Sequence, residues 1–217
     1  MIPRVLIGIV CNKLIDAHFA MNLQDALVGN GLYFHADIRW AIGHITDDGR
    51  NEIAEEAIAR GYDYLVFLDS DMTFPPGIVL GLLRRAIAKR TYSAAIYNTR
   101  SDHRVNLYDW KPAKKSFVSV IPNMDVGGVC DAGGTGAMCI PVRLFNKLKH
   151  PYFYYKYTYN ETGRVRWSED MVFCKKLLDK GYRCSYIPMV CGHIIDGIVR
   201  QVDAYSYNIT KLSGEHY

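Results

Sequence analysis

Short apolar runs alternate with amphipathic stretches through the first hundred residues, and this alternation narrows what the chain can fold into. The run RVLIGIV (4–10) is apolar on both faces of a pleat, which suits a strand covered from both sides. AHFAMNLQDALVGNG follows, with Phe19, Leu23, Ala26 and Leu27 at helical spacing and Gly29 and Gly31 to stop it. YFHADIRWAIG reads as a second strand. TDDGRNEIAEEAIARGYD then predicts a helix with Ile53, Ala57 and Ile58 on one side, acids early and Gly61 at its end. YLVFLD is a third strand, and PPGIVLGLLRRAIAKR is a helix opened by proline, with Val79, Leu82, Leu83, Ala86 and Ile87 turned inward. YSAAIYN is a fourth strand. Strands alternating with helices predict an α/β domain built on a mostly parallel sheet.

The second half has a different texture. SFVSVIP and GAMCIPVRLF are strand-like pieces separated by the glycine cluster GGVCDAGGTG. YFYYKYTYNETGRVRW predicts a hairpin with its tip at Asn160–Gly163. SEDMVFCKKLLDKG is a helix with Ser168 as N-cap and Gly181 at its end, and CSYIPMVCGHI is a final strand. No linker or repeat interrupts the chain. The expectation is one domain over residues 1–217, with a nucleotide-binding half to about residue 100 and an acceptor-side, catalytic half over about 101–217.

Bulk properties remove several function classes. The formal charge is +4 and no Lys/Arg block is present, which argues against a nucleic-acid scaffold and suits an enzyme of anionic substrates. No apolar segment is long enough to predict a transmembrane helix, and MIPRVLIGIVCNK reads as a buried first strand rather than a signal peptide. The six cysteines are scattered without a C-x-x-C pair, so they form no structural zinc pattern. Reduced thiols and a cytoplasmic location are the expectation. Oligomeric state is not legible.

In YLVFLDSDMTF (64–74), Asp69 and Asp71 stand one residue apart at the end of an apolar run. A strand ending this way sets both carboxylates at the carboxyl edge of the sheet, where ligands collect in open α/β folds. Two such carboxylates can share one hard cation. They can equally be the nucleophile and the acid/base of a D-x-D-x-T phosphatase, with Lys147 or Lys149 as its later lysine. A turn aspartate followed by a capping aspartate is the plainest alternative.

Four further features bear on the choice. Arg50 and Asn51 stand near a helix start, where N–H groups and a cation favour an anion. DAGGTGAMCIP sets Gly133, Gly134, Thr135 and Gly136 before a strand, where missing side chains would let backbone approach a ligand. Glu169 and Asp170 occupy a first helical turn, whose dipole favours their ionised form and a general-base role. His193 follows a strand and is a candidate third ligand beside two carboxylates.

In this order, FLDSDMTFPP, GGTGAMCIP, WSEDMVFCKKLLDKG and VCGHI resemble the glycosyltransferases of the GT-A fold, above all the family-2-like group, from about Arg4 to Ile195. The resemblance implies a single-domain, Rossmann-like, mostly parallel sheet flanked by helices, with a smaller irregular acceptor half. It implies a hexosyl- or deoxyhexosyltransferase of glycan biosynthesis that takes a nucleotide-diphosphate sugar, preferably a UDP-sugar, and glycosylates a glycan or other hydroxyl acceptor. Asp69, Asp71 and His193 would hold Mn2+ or Mg2+. Asp170, with Glu169 beside it, would be the base of an inverting transfer. Arg50, Asn51, Ser70, Arg100, Gly134 and Thr135 would face the donor, and Gly136 the acceptor. The first strand runs into VCNK, where the group more often has a proline-threonine-tyrosine-asparagine-like loop.

Tyr155 and Tyr157 alternate with Tyr159 along one face of the hairpin, and Trp167 closes it. Aromatic faces stack on sugar rings, so Tyr155, Tyr157 and Trp167 are candidate acceptor contacts. A non-catalytic module that binds sugar or nucleotide is the main rival reading, and the phosphatase is the second.

Overall fold

The computed structural model describes residues 2–11, 15–99, 104–160, 163–195 and 198–201. The first half follows its periodicity closely. β1 (Arg4–Cys11), α1 (Ala17–Ala26), β2 (His35–Ile42), α2 (Thr46–Ala59) and β3 (Tyr64–Leu68) come in turn. The short β4 (Met72–Thr73), α3 (Ile78–Lys89) and β5 (Ser93–Ile96) complete the alternation. Asp16 caps α1 by accepting from the His18 N–H, which satisfies one of the orphan donors of the first turn. Gly77, in the left-handed region, turns the chain into α3, and the two prolines lie ahead of it rather than at the first helical position.

Beyond β5 the elements shorten. They are β6 (Leu107–Lys111), β7 (Ser116–Ser119), β8 (Gly128–Cys130), β9 (Ala132–Gly133), β10 (Ala137–Pro141), the hairpin β11 (Lys156–Asn160) and β12 (Gly163–Trp167), and α4 (Glu169–Leu178). The segment expected to be one final strand divides into β13 (Cys184–Val190) and β14 (Gly192–Ile195), followed by β15 (Ile198–Gln201). Ser168 is the N-cap residue of α4, but its hydroxyl bonds the Asp170 carboxylate instead of a backbone N–H.

The sheet arrangement corrects the expectation of one mostly parallel, Rossmann-like GT-A sheet. Four separate sheets are present among the described residues: a seven-stranded sheet ordered β2-β1-β3-β10-β5-β13-β8, a three-stranded β15-β14-β4, a three-stranded β7-β6-β9, and the β11-β12 pair. Among the named strands of the described residues, only β1 with β2, β1 with β3, and β13 with β5 run parallel, and the remaining pairings are antiparallel. The physical cause lies in β10. Its five residues are all buried, and it inserts antiparallel between β3 and β5, which the first-half alternation alone would have set side by side. A strand that joins from so much later in the chain leaves no trace in the local period of its neighbours.

Side chains alternate across the large sheet to form two apolar layers. Val5, Ile7 and Ile9 of β1 join Val66 and Leu68 of β3 against Phe19 of α1 and Ile78, Val79 and Leu82 of α3. Leu6, Leu65 and Phe67 face the other way, against Ile53, Ala54 and Ala57 of α2 and Phe173 and Leu177 of α4. All six cysteines are buried free thiols. No helix among the described residues is long and apolar enough to cross a membrane.

Candidate functional site

The carboxyl ends of β1 and β3 open, together with the turn into α2, onto a cleft of about 410 Å3. Val10, Gly43, His44, Ile45 and Thr46 line one part of it, and Arg50, Asp69, Ser70 and Asp71 the other. The position follows from the βαβ arrangement, because strand ends and helix starts meet on that edge. Ser70 donates to the Val10 carbonyl at 3.0 Å and so ties the end of β3 to the end of β1.

Arg50 is the charged centre. It comes from the second turn of α2, is 3% exposed, and bonds Asp69 at 2.8 Å through one terminal nitrogen and Glu169 through the other. Burial works against its charge, but Asp69, Glu169 and Asp170 more than offset this, so its pKa is raised. Glu169 is almost as deeply buried as Arg50. Burial pushes its carboxyl up despite the pull of Arg50, and the neighbouring Asp170 adds to the rise. Arg50 therefore bonds two of the predicted acidic residues at once.

Asp170 differs from its neighbour. It is half-buried, with one carboxylate oxygen accepting from the Met171 N–H at 2.8 Å and from the Ser168 hydroxyl. Adjacent acids on one helix thus have distinct settings, one enclosed in an ion pair and one oriented by its own turn.

His193 lies inside β14, opposite Met72 of β4, and the following Ile194 N–H donates to the Asp71 carbonyl at 2.8 Å. Its Nδ1 is 2.7 Å from the Asn98 carbonyl oxygen. A carbonyl can only accept, so Nδ1 is the donor of this bond. Among the described residues no three His, Cys, Asp or Glu side chains gather closely enough to hold a metal unaided. The two carboxylates still suit a magnesium-type cation, which is commonly held by one or two carboxylates plus substrate phosphates.

The glycine cluster has a different use from the one its composition suggests. The Tyr97 hydroxyl accepts from the Gly136 N–H at 2.9 Å. A Cβ at Gly134 would overlap that hydroxyl, and one at Gly136 would press on the Met72 sulfur and the Tyr97 ring. Gly134 and Gly136 therefore admit a protein side chain. The Gly136 carbonyl in turn accepts from the Asp69 N–H at 2.9 Å, so this turn helps set the position of Asp69. Thr135 is 1% exposed, and its hydroxyl has no hydrogen-bond partner among the described residues.

Other predicted residues separate by role. The Asn51 amide donates to the Asp47 and Phe153 carbonyls, and its oxygen accepts from the Tyr152 and Phe153 N–H groups. Its side chain is engaged in holding a loop. Trp167 packs edge-on with Trp110 at 5.5 Å and with Phe117 at 5.8 Å, which anchors the hairpin to β6 and β7. Tyr155 reaches toward the centre. Burial and the Glu169 carboxylate beside it push its phenol up. Tyr157 is 49% exposed. Arg100 lies outside the described residues.

Sequence reasoning missed Tyr97. It is buried in the middle of these groups, edge-on to His193 at 5.4 Å, and burial together with Asp69 and Asp170 pushes its phenol well above the ordinary range. The only signal was an aromatic residue at the end of the fourth strand, which is common in any core. His44 and Thr46 were also missed, because a cleft-lining loop residue carries no periodic signature.

No family model matches this chain, and no curated protein matches it. The crystal structure of A197 from STIV is similar, with a TM-score of 0.60 and 19% identity over 89% of this chain and 87% of that one. At that identity the likeness speaks for the fold alone. It corrects the family-2-like GT-A assignment: the architecture held in common with a solved structure is that of A197, and in this chain it is multi-sheet and mostly antiparallel.

Proposed function

We propose that this chain transfers a glycosyl group from a nucleotide-diphosphate sugar, a UDP-sugar by preference, to a hydroxyl acceptor. The observation that carries the proposal is the cleft, which combines a buried cation at Arg50 with two carboxylates, Asp69 and Asp71, just past the carboxyl end of β3. Arg50 also links the cleft to the helix that carries Asp170.

Asp69 and Asp71, together with the donor's phosphates, are the groups that would hold Mn2+ or Mg2+. Such an ion, when bound, supplies charge neutralisation at the leaving diphosphate. The remaining roles belong to the chain. Arg50 holds Asp69 in place and ties Glu169 to it through its second terminal nitrogen. Asp170, oriented by Ser168 and its own backbone, is the base that takes the acceptor proton as the acceptor oxygen attacks the anomeric carbon, with inversion. Glu169, enclosed by Arg50, acts as a positioning residue.

Incubation with UDP-sugars and Mn2+ tests the proposal. Slow donor hydrolysis that disappears in Asp71→Ala supports it. Binding of nucleotide sugar with no turnover on any acceptor would replace it with a binding module. Release of phosphate from a simple phosphomonoester, with Asp69 phosphorylated, would replace it with a phosphatase.

A further inference from the structure

We infer that the face of the β11–β12 hairpin bearing Tyr155, Tyr157 and Arg166 is the acceptor platform, and that the acceptor is a saccharide carrying an anionic group. The inference rests on the proposed glycosyl transfer and names its substrate class.

Register divides the hairpin into two unlike faces. Lys156 pairs with Trp167 and Thr158 with Val165, whereas Tyr157 pairs with Arg166 and Tyr159 with Arg164. Trp167 is packed against Trp110 and Phe117, so its face is the one that seats the hairpin on the body of the protein. The opposite face carries Tyr157 and Arg166 as cross-strand neighbours, with Tyr155 two positions before Tyr157. Together these three form a strip of two aromatic rings and a cation.

That strip leads into the cleft. The Arg166 guanidinium lies 4.0 Å from the centre of the Tyr155 ring. The phenol of Tyr155 feels both Glu169, which is bonded to Arg50, and Thr46, which lines the cleft. A connected series therefore runs from Asp69 through Arg50, Glu169 and Tyr155 to Arg166. An acceptor laid along it would have one end at the reacting centre and its body on the exposed Tyr157.

The chemistry of Arg166 points to an anion. A guanidinium stacked on a ring uses its face, and its N–H donors lie in the plane, directed past the ring edge. This geometry suits a planar carboxylate or a phosphate, which a guanidinium grips with two parallel bonds. Neutral sugars would gain the stacking on Tyr157 but not the ion pair.

The test is a set of NMR titrations of the full chain with methyl glucoside, methyl glucuronide, a phosphorylated methyl glucoside and inorganic phosphate, run beside UDP-sugar hydrolysis. The two charged glycosides are expected to bind about fivefold or more tighter than methyl glucoside, a difference of about 1 kcal/mol. Arg166→Gln should abolish that preference, and Tyr157→Ala should weaken all three glycosides. Donor hydrolysis by the unsubstituted chain, measured in parallel, separates failure of this inference from failure of the transferase reading. Equal affinity for charged and neutral glycosides would overturn the inference. So would an unchanged preference in Arg166→Gln. Inorganic phosphate binding as tightly as the phosphorylated glycoside would reduce the strip to an anion site and overturn its saccharide role.

Discussion

Arg50 and Glu169, 119 positions apart in the chain, form a buried ion pair that joins α2 to the first turn of α4. Both side chains are almost wholly removed from water. Removing one partner of such a pair leaves the other charge buried and uncompensated, which costs about 3–5 kcal/mol. Arg50→Met is therefore expected to lower stability by that amount in urea titrations. Arg50→Met combined with Glu169→Leu should recover a large part of it. A double variant no more stable than the single one would show that the pair is not the source of the loss.

The Glu169 carboxyl also predicts a pH dependence. Burial raises its pKa in the folded protein above the ordinary 4.5, so the native state holds the proton at pH values where the unfolded chain has released it. Folding stability due to this group therefore falls as pH rises from 4.5 through the folded value, and is flat above it. Glu169→Gln removes this titration. The difference in stability between wild type and variant should change with pH across that window and level off on either side. A difference independent of pH would contradict the raised value.

Tyr97 and Gly134 predict a compensating pair. Tyr97→Phe leaves the buried Gly136 N–H without its acceptor and should cost about 1–3 kcal/mol. Gly134→Ala forces a methyl against the Tyr97 hydroxyl and should be destabilising on its own. Since Phe lacks that oxygen, Tyr97→Phe combined with Gly134→Ala should be less harmful than the sum of the two. Thermal melts of the four proteins measure this coupling, and strict additivity would count against the close approach.

Asn51 should behave as a structural residue. Asn51→Ala removes one hydrogen bond within α2 and three that hold the Tyr152–Phe153 segment against it, two of these from buried or half-buried N–H groups. A loss of about 2–4 kcal/mol is expected. At a temperature where the variant remains folded, its affinity for a UDP-sugar should match that of wild type. A large loss of affinity with little loss of stability would return Asn51 to the donor site.

Local pattern determined much of this protein. The continuous apolar runs RVLIGIV and YLVFLD, and the helical stripes at Ile53–Ala57 and Val79–Ala86, correspond to β1, β3, α2 and α3, because each element's own burial demands that pattern. The hairpin pairing Asn160 with Gly163 was legible for the same reason. The nearness of Asp69 and Asp71 was certain from their spacing. Tertiary structure alone decided the rest. The insertion of β10 between β3 and β5 turned an expected parallel sheet into a mixed one, and no local period encodes which strand will fill a gap. It gave the glycines of GGTG to Tyr97, engaged Asn51 in a loop, and put Trp167 under the hairpin. It also brought Arg50 to Asp69 and Glu169, since a buried charge must find its partners wherever the fold places them.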